Sequence, residues 1–235
     1  MSVAVGPPSE ADAAGPSEPA GPEAHAPEAD GPLALPAALL DALHAAYAAP
    51  PRAYHHFGHV RDLIPHYRAV AEGPGWHRPV EVWLALLYHD AVYVPGRRDN
   101  EARSATLAQV QIAHWLPAAG IDAGRVAALI LATARHGAIA REDTGGDADG
   151  EDLRRFLDCD MAIIGAAPEV FAAYDRAIAE EYRAVPRWLY RRRRRAFLRG
   201  LLEAPRIYLS DFFHARLDAQ ARRNLADALA SRSGR

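Results

Sequence analysis

Four side chains in this sequence are polar where their surroundings call for apolar ones. His89 lies three and seven residues after Leu86 and Val82, on the inner face of the most apolar run, and Asp90 follows it directly. Asp160 lies three, four and seven residues after Leu157, Phe156 and Leu153, and four before Ile164, at the centre of one helical stripe. Asp158 is roughly 160° away around the same helix, at about 100° per residue. His59 shares a face with Leu63, and His136 lies three and seven residues after Thr133 and Leu129. Taken alone, each has an ordinary explanation: a core histidine, or an aspartate that caps a helix or pairs with arginine. Together they point further. Burying a lone carboxylate costs several kcal/mol or forces it to protonate. Two carboxylates and two or three imidazoles on separate helices call for a shared counter-charge, and a divalent cation is the simplest. Mixed nitrogen and oxygen donors suit Mn or Mg, with Fe, Co, Ni or Zn as alternatives. Structural zinc usually recruits cysteine, and Cys159 is the sole one.

The elements that must position these residues read as helices. Val60, Leu63, Ile64, Tyr67 and Ala71 form one helical face, with Pro65 expected to kink that helix or mark its true start. Residues 81–89 read as a buried central helix, and residues 101–116 as the next. Asp122 is a candidate N-cap for the helix that carries Val126, Leu129 and Ile130. Residues 141–150 read as a mobile loop. Further helices are expected around residues 153–164, 171–182, 187–203 and 215–230. Strand alternation is absent, so the expected fold is an all-α, compact multi-helix bundle. Residues 33–235 should form its single domain. Residues 1–32 are Pro, Ala, Gly, Glu and Ser with almost no large apolar side chain, a composition that predicts disorder. A formal net charge of -3 gives no general pull toward nucleic acid or acidic membranes. One cysteine and no membrane-length apolar run fit a cytoplasmic protein.

His59, then His89-Asp90, then Asp160 resembles the H…HD…D signature of the HD superfamily. The local strings resemble a bacterial group described as predicted metal-dependent HD phosphohydrolases. Tyr54-His55-His56-Phe57-Gly58-His59-Val60 is similar to its YHNxxHV segment, and Tyr88-His89-Asp90-Ala91-Val92-Tyr93 to FHDxVY. Asn100-Glu101 with Ser104-Ala105 resembles NExxSA, and Thr133 with His136 resembles TxxH. Leu157-Asp158-Cys159-Asp160-Met161 resembles LDADL, and Ala221-Arg222-Arg223-Asn224-Leu225 resembles ARxNL. His56, Tyr88 and Met161 replace Asn, Phe and Leu, and Ala179 stands where the group has an Arg before its Glu-Tyr pair.

The resemblance implies an all-helical, metal-dependent phosphohydrolase acting on a phosphoester or phosphoanhydride, often of a nucleotide. His59, His89, Asp90 and Asp160 would hold the metal. Glu101, His136 and His55 are the candidates for proton transfer or for positioning the attacking water. The alternative for Glu101 is an acid that complements a helix dipole. Asn100 and Arg194 are candidate substrate contacts. Arg194 shares an apolar stripe with Tyr190, Phe197 and Leu198, so its guanidinium needs an anion: a substrate phosphate, or a structural Asp or Glu. The Arg191–Arg195 run is a weak nucleic-acid signal, because no aromatic stacking pattern accompanies it in the sequence. A small phosphorylated substrate is the expected partner, with nucleic acid and membrane disfavoured. Two rivals remain open: a non-catalytic HD-type module that senses a nucleotide, and a purely structural bundle.

Overall fold

The protein is described from a computed structural model, over residues 27–48 and 52–231. Nine α-helices and three short 3-10 turns make up these residues, with no strand among them. The helices are α1 (Ala37–Ala48), α2 (Phe57–Glu72), α3 (Pro79–Tyr88), α4 (Asn100–Trp115), α5 (Ala123–Thr133), α6 (Ala148–Met161), α7 (Pro168–Glu181), α8 (Arg187–Glu203) and α9 (Asp211–Ser231).

Helix α3 is the hub. Every residue from Glu81 to Tyr88 is buried, because α2, α4, α5 and α6 all pack on it. Val82, Leu84, Leu86 and Leu87 are fully buried, each contributing about 1.5–3 kcal/mol of apolar transfer. No side chain caps the start of α3. Asp152 of α6 does that work instead, accepting from the backbone N–H of His77 at 3.0 Å and of Arg78 at 2.8 Å. The first core joins Leu39 and Leu43 of α1 with α2–α5 and Phe156 of α6. A second core joins Met161 and Ile164 with Phe171, Leu198, Tyr208, Phe213 and Leu225. Aspartates 158 and 160 belong to the helix that runs between the two.

Several local expectations change. Helix α2 begins at Phe57 and runs through Pro65. Its N-cap is His56, whose Nδ1 accepts from the N–H of Gly58 at 2.9 Å. Pro65 removes only one bond, to the carbonyl of Arg61, and the remaining turns hold. Residues 141–150 are not an open loop: Arg141–Thr144 is a 3-10 turn, and α6 starts at Ala148, capped by Asp147. Asp122 caps α5, accepting from Arg125 N–H. The last helix starts at Asp211, earlier than expected.

The expected disordered tail lies for the most part outside the described residues. Its end does not behave as expected. Pro27–Ala29 forms a turn, and Glu28 is fully buried. Its carboxylate accepts from Arg61 Nη2 at 2.7 Å and Nε at 3.1 Å, and stands 2.9 Å from His44 Nε2. Gly31 lies flat on the Trp83 indole with no room for a Cβ. Composition predicts no core here, and none forms; an ion pair and a close approach anchor the segment instead.

Candidate metal centre

Helix ends bring the site together. The first turn of α2 supplies His59, and the residues that follow α3 supply His89 and Asp90. Asp160 comes from the last turn of α6, and His136 from the turn that follows α5. The periodicity argument places His136 on the stripe of α5. In the structure α5 ends at Thr133, and the chain turns to bring the ring in, half-buried. Gly137, at φ +72°, completes that turn against Leu201.

The donor atoms converge. His59 Nε2 lies 2.9 Å from Asp160 Oδ1, and His89 Nε2 lies 3.3 Å from His59 Nε2. His89 Nε2 is 3.6 Å from Asp160 Oδ1 and 3.2 Å from Asp90 Oδ2, while His59 Nε2 is 4.0 Å from Asp90 Oδ2. His136 Nε2 is 3.1 Å from Asp160 Oδ2. One ligand atom each from His59, His89 and Asp160 lies within 4.8 Å of the others. The cluster could hold a metal ion. Ligands at about 2.1 Å and at right angles stand about 3 Å apart, which the spacings here match.

Two further features fit that group. His89 Nδ1 donates to the carbonyl of Leu86 at 2.8 Å. That fixes a proton on Nδ1 and aims Nε2 into the site, where an ion could displace its proton; such a bond is the usual second contact of a metal-bound histidine. Secondly, the carboxylates of Asp90 and Asp160 have only imidazoles as partners among the described residues, and no arginine reaches either. Burial opposes their charge, but the surrounding histidines hold both well below the usual carboxylate range. Burial pulls His89 down as well, yet the two aspartates drive it well above its ordinary value. A proton on His89 thus supplies part of the positive charge that a cation would supply.

A second layer of residues fixes the backbone around these ligands. Arg52 Nη1 donates to the carbonyls of His55 at 2.8 Å and Asp90 at 2.6 Å, and Nη2 to those of Ala46 at 3.1 Å and Ala91 at 3.0 Å. One guanidinium therefore ties α1, the segment before α2 and the His-Asp pair together. Tyr47 donates to Leu87 O at 3.0 Å and accepts from Asp90 N–H at 3.3 Å. Glu181, at the end of α7, accepts from Tyr54 and His55 N–H at 2.9 Å each and holds His55 Nδ1 at 2.6 Å. Burial alone would raise the carboxyl of Glu181, but the His55 bond outweighs it and leaves it lowered. The His55 ring stacks on Tyr93, centroids 4.0 Å apart. His55 is thus a fixed neighbour of the centre, pointed at Glu181.

Other expected site residues have different occupations. Both ends of the Asn100 amide are used: Oδ1 accepts from Val94 N–H, and Nδ2 donates to Val94 O, each at 3.0 Å. Ser104 does the same at Val92. The pair clamps the chain that leaves His89-Asp90, so Asn100 is a structural residue, not a free substrate contact. Arg194 is buried against Asp175 at 3.1 Å and Tyr174 at 3.2 Å. Its anion is a protein carboxylate, not a substrate phosphate. Among the described residues Asp158 has no bond to His59, His89 or His136. It accepts from Leu209 N–H at 2.7 Å, Ser210 N–H at 2.7 Å and Ser210 Oγ at 2.6 Å, which ties α6 to the start of α9. Burial pushes its carboxyl up to about 7 against those three donors.

Glu101 opens α4, partly exposed, with no hydrogen bond or ion pair among the described residues. Its charge acts on His136, whose ring burial pushes down against the pull of Asp160. A cavity of about 240 Å³ opens beside His136, lined also by Arg135, Ile139, Leu157, Met161 and Arg206. No sequence pattern marks Arg52, although it stands two residues before the Tyr54-His55 string. Glu181 was visible only as half of a Glu-Tyr pair.

No family model matches the chain. No curated protein and no solved structure matches it either. No helix among the described residues is long and apolar enough to cross a membrane.

Proposed function

We propose that the protein is a metal-dependent phosphohydrolase of the HD kind, acting on a phosphoester or phosphoanhydride of a nucleotide or similar small molecule. The observation that carries this reading is the convergence of His59, His89 and Asp160, with Asp90 beside them, on one point where buried carboxylates have no arginine partner. These four residues would hold the ion, with Mn or Mg the first candidates for such a donor set. A divalent ion supplies Lewis acidity toward a phosphoryl oxygen and lowers the pKa of a water.

The chain's own groups supply the rest. Glu101 has no hydrogen bond or ion pair among the described residues, and its charge acts on His136, which supports a role in orienting a water or taking its proton. His136 stands between the centre and the 240 Å³ cavity, where it can hold or deliver a proton to a leaving oxygen. That volume is below the roughly 300 Å³ at which ligand pockets usually begin, and Arg135 at its wall has no acidic partner among the described residues. Both features suit a small anionic substrate. A reducing, cytoplasmic setting goes with this reading, since the sole cysteine, Cys159, is free and buried.

The deciding experiment is a panel of nucleotides and phosphoesters, offered with Mn, Mg, Co and Ni and read by released phosphate. Metal-dependent release that is lost in Asp90→Ala supports the proposal. A protein that binds no divalent ion at micromolar levels refutes it. Binding of a nucleotide without turnover would make the protein a sensing module instead.

A further inference from the structure

Helices α7 and α8 enclose a second concave surface, a cleft of about 710 Å³ distinct from the cavity at His136. Its chemistry is strongly one-signed. Helix α8 carries seven arginines and a single acid, Glu203. Arg187 and Arg191 line one wall, and Arg176 and Arg183 line the other. Arg187, Arg191 and Arg176 have no acidic partner among the described residues. The two acids that line the cleft are engaged: Asp175 with Arg194, and Glu180 with Arg183 at 2.6 Å. In a chain of net charge -3, this concentration is local and is not a consequence of composition.

Aromatic faces accompany the cations: Trp188 and Tyr190 stand in the α8 segment itself, and the end of α7 brings Tyr182 beside them. Tyr182 and Tyr190 both line the cleft, with ring centroids 5.9 Å apart. Trp188 is 67% exposed, one of few large apolar side chains left in solvent. It precedes Arg191 and Arg192 by three and four residues, so it shares their face of α8. Unpaired arginines along a groove, with two half-buried tyrosine rings in its wall and one exposed indole on the adjoining face of α8, suit a single strand of nucleic acid. The cations track the phosphates, and the rings stack the unpaired bases. Arg187 and Arg191 are about 6 Å apart along the helix axis, at about 1.5 Å per residue. That spacing serves successive phosphates of a strand. An anionic membrane fits less well, because the arginines line a concavity and Trp188 is the lone exposed apolar anchor on α8.

We propose that the α7–α8 cleft is a binding groove for single-stranded nucleic acid. It adjoins the metal centre. Tyr182 OH is 3.2 Å from Tyr93 OH, Tyr93 stacks on His55, and the preceding residue, Glu181, holds His55. The wall of the groove and the support of the centre are one helix end. The groove does not depend on the hydrolase reading, since it contains none of the metal-site residues.

The test is fluorescence anisotropy of labelled 12-mer oligo-dT and oligo-U with the full chain, in EDTA, across a salt series. Working without metal separates this proposal from the hydrolase one. Binding is expected to weaken with salt. Arg187→Ala/Arg191→Ala should lower the slope of log K against log salt by roughly 0.7 per arginine. Trp188→Ala should weaken binding about fivefold or more. Arg216→Ala, exposed on α9, should change little. Circular dichroism melts check the fold of each variant, and all four substituted positions are at the surface. Absence of micromolar binding at low salt overturns the proposal. So does binding that ignores these substitutions. Full displacement by an equal concentration of tripolyphosphate also overturns it, in favour of a small polyphosphate. Substitution-sensitive binding to phosphatidylserine vesicles, without oligonucleotide binding, overturns it in favour of a membrane surface.

Discussion

His55 and Glu181 are 126 residues apart in the chain and meet at 2.6 Å. The same carboxylate closes the backbone N–H groups of Tyr54 and His55. Glu181→Ala leaves those donors without their acceptor, and each such buried group costs about 1–3 kcal/mol. Glu181→Gln keeps an acceptor for the backbone and should cost less. Both melts are measured by calorimetry. Equal stability of the alanine variant and wild type would show that water replaces the carboxylate freely.

Asp158 and Asp160 are two residues apart and should fail differently. Asp160→Asn removes a charged ligand from the centre, so metal affinity should drop at least tenfold with a modest change in the apo melt. Asp158→Asn weakens an anchor with three donors and should cost about 1–3 kcal/mol of stability while metal binding persists. Isothermal titration with Mn and apo melting curves read the two effects. Equal metal loss in both variants would count against Asp158 serving as the anchor of Leu209 and Ser210.

Metal removal gives a third outcome. An ion bound only by the folded chain stabilises it by about 2.7 kcal/mol at a hundredfold excess over Kd. Wild type should therefore melt higher with Mn than with EDTA, and Asp90→Ala should show no such difference. An unchanged wild-type melt at saturating metal would show that no ion is held.

Glu101→Gln separates catalysis from helix electrostatics. As a mere first-turn acid, Glu101 is worth a few tenths to about 1 kcal/mol. As the group that takes or directs a water's proton, its loss should cut turnover roughly a hundredfold or more at matched metal occupancy. Near wild-type release would move the role to His136.

The segment at Glu28 yields a pH prediction. Burial opposes its charge, but Arg61 wins and holds the carboxyl below its ordinary value. That stability is fully present above the unfolded carboxylate value of about 4.3 and is lost as pH falls through the lowered folded value. Glu28→Gln should therefore flatten the acid limb of a stability curve between about pH 5 and 3. Deleting residues 1–26 should leave the melting temperature unchanged, and deleting 1–32 should lower it. Identical melts for the two truncations would show that the Glu28 anchor contributes nothing.

What the sequence disclosed was whatever depends on periodicity. The helix of Val60 and Tyr67, the buried run before His89, and the inward face of Asp160 all follow from a 3.6-residue repeat that one strand of text contains. Arg52, Glu181 and Glu28 were not legible in that way. Each is polar, each acts on a backbone or side chain far along the chain, and no local pattern states which partner folding will bring. Asn100 and Arg194 show the converse: their polarity marked them for a ligand, whereas Val94 and Asp175 absorb it. The aromatic company of the α8 arginines needed a second helix, α7, to bring Tyr182 alongside.

Helix α3 is sealed from Glu81 to Tyr88, and its C-terminal end delivers His89 and Asp90. Amides in so enclosed a segment exchange with solvent deuterium only when the whole molecule opens. Asp160 sits at a helix end, where local opening is cheaper, and His136 sits on a turn beside Gly137. Two of the four proposed ligands, His89 and Asp90, thus follow a segment expected to exchange slowly, whereas Asp160 and the neighbouring His136 belong to parts that can loosen alone. An ion held there would tie the end of α6 to the end of α3. Its arrival should protect the amides around Asp160 and His136 in a hydrogen-exchange experiment, and leave those of α3 as slow as before.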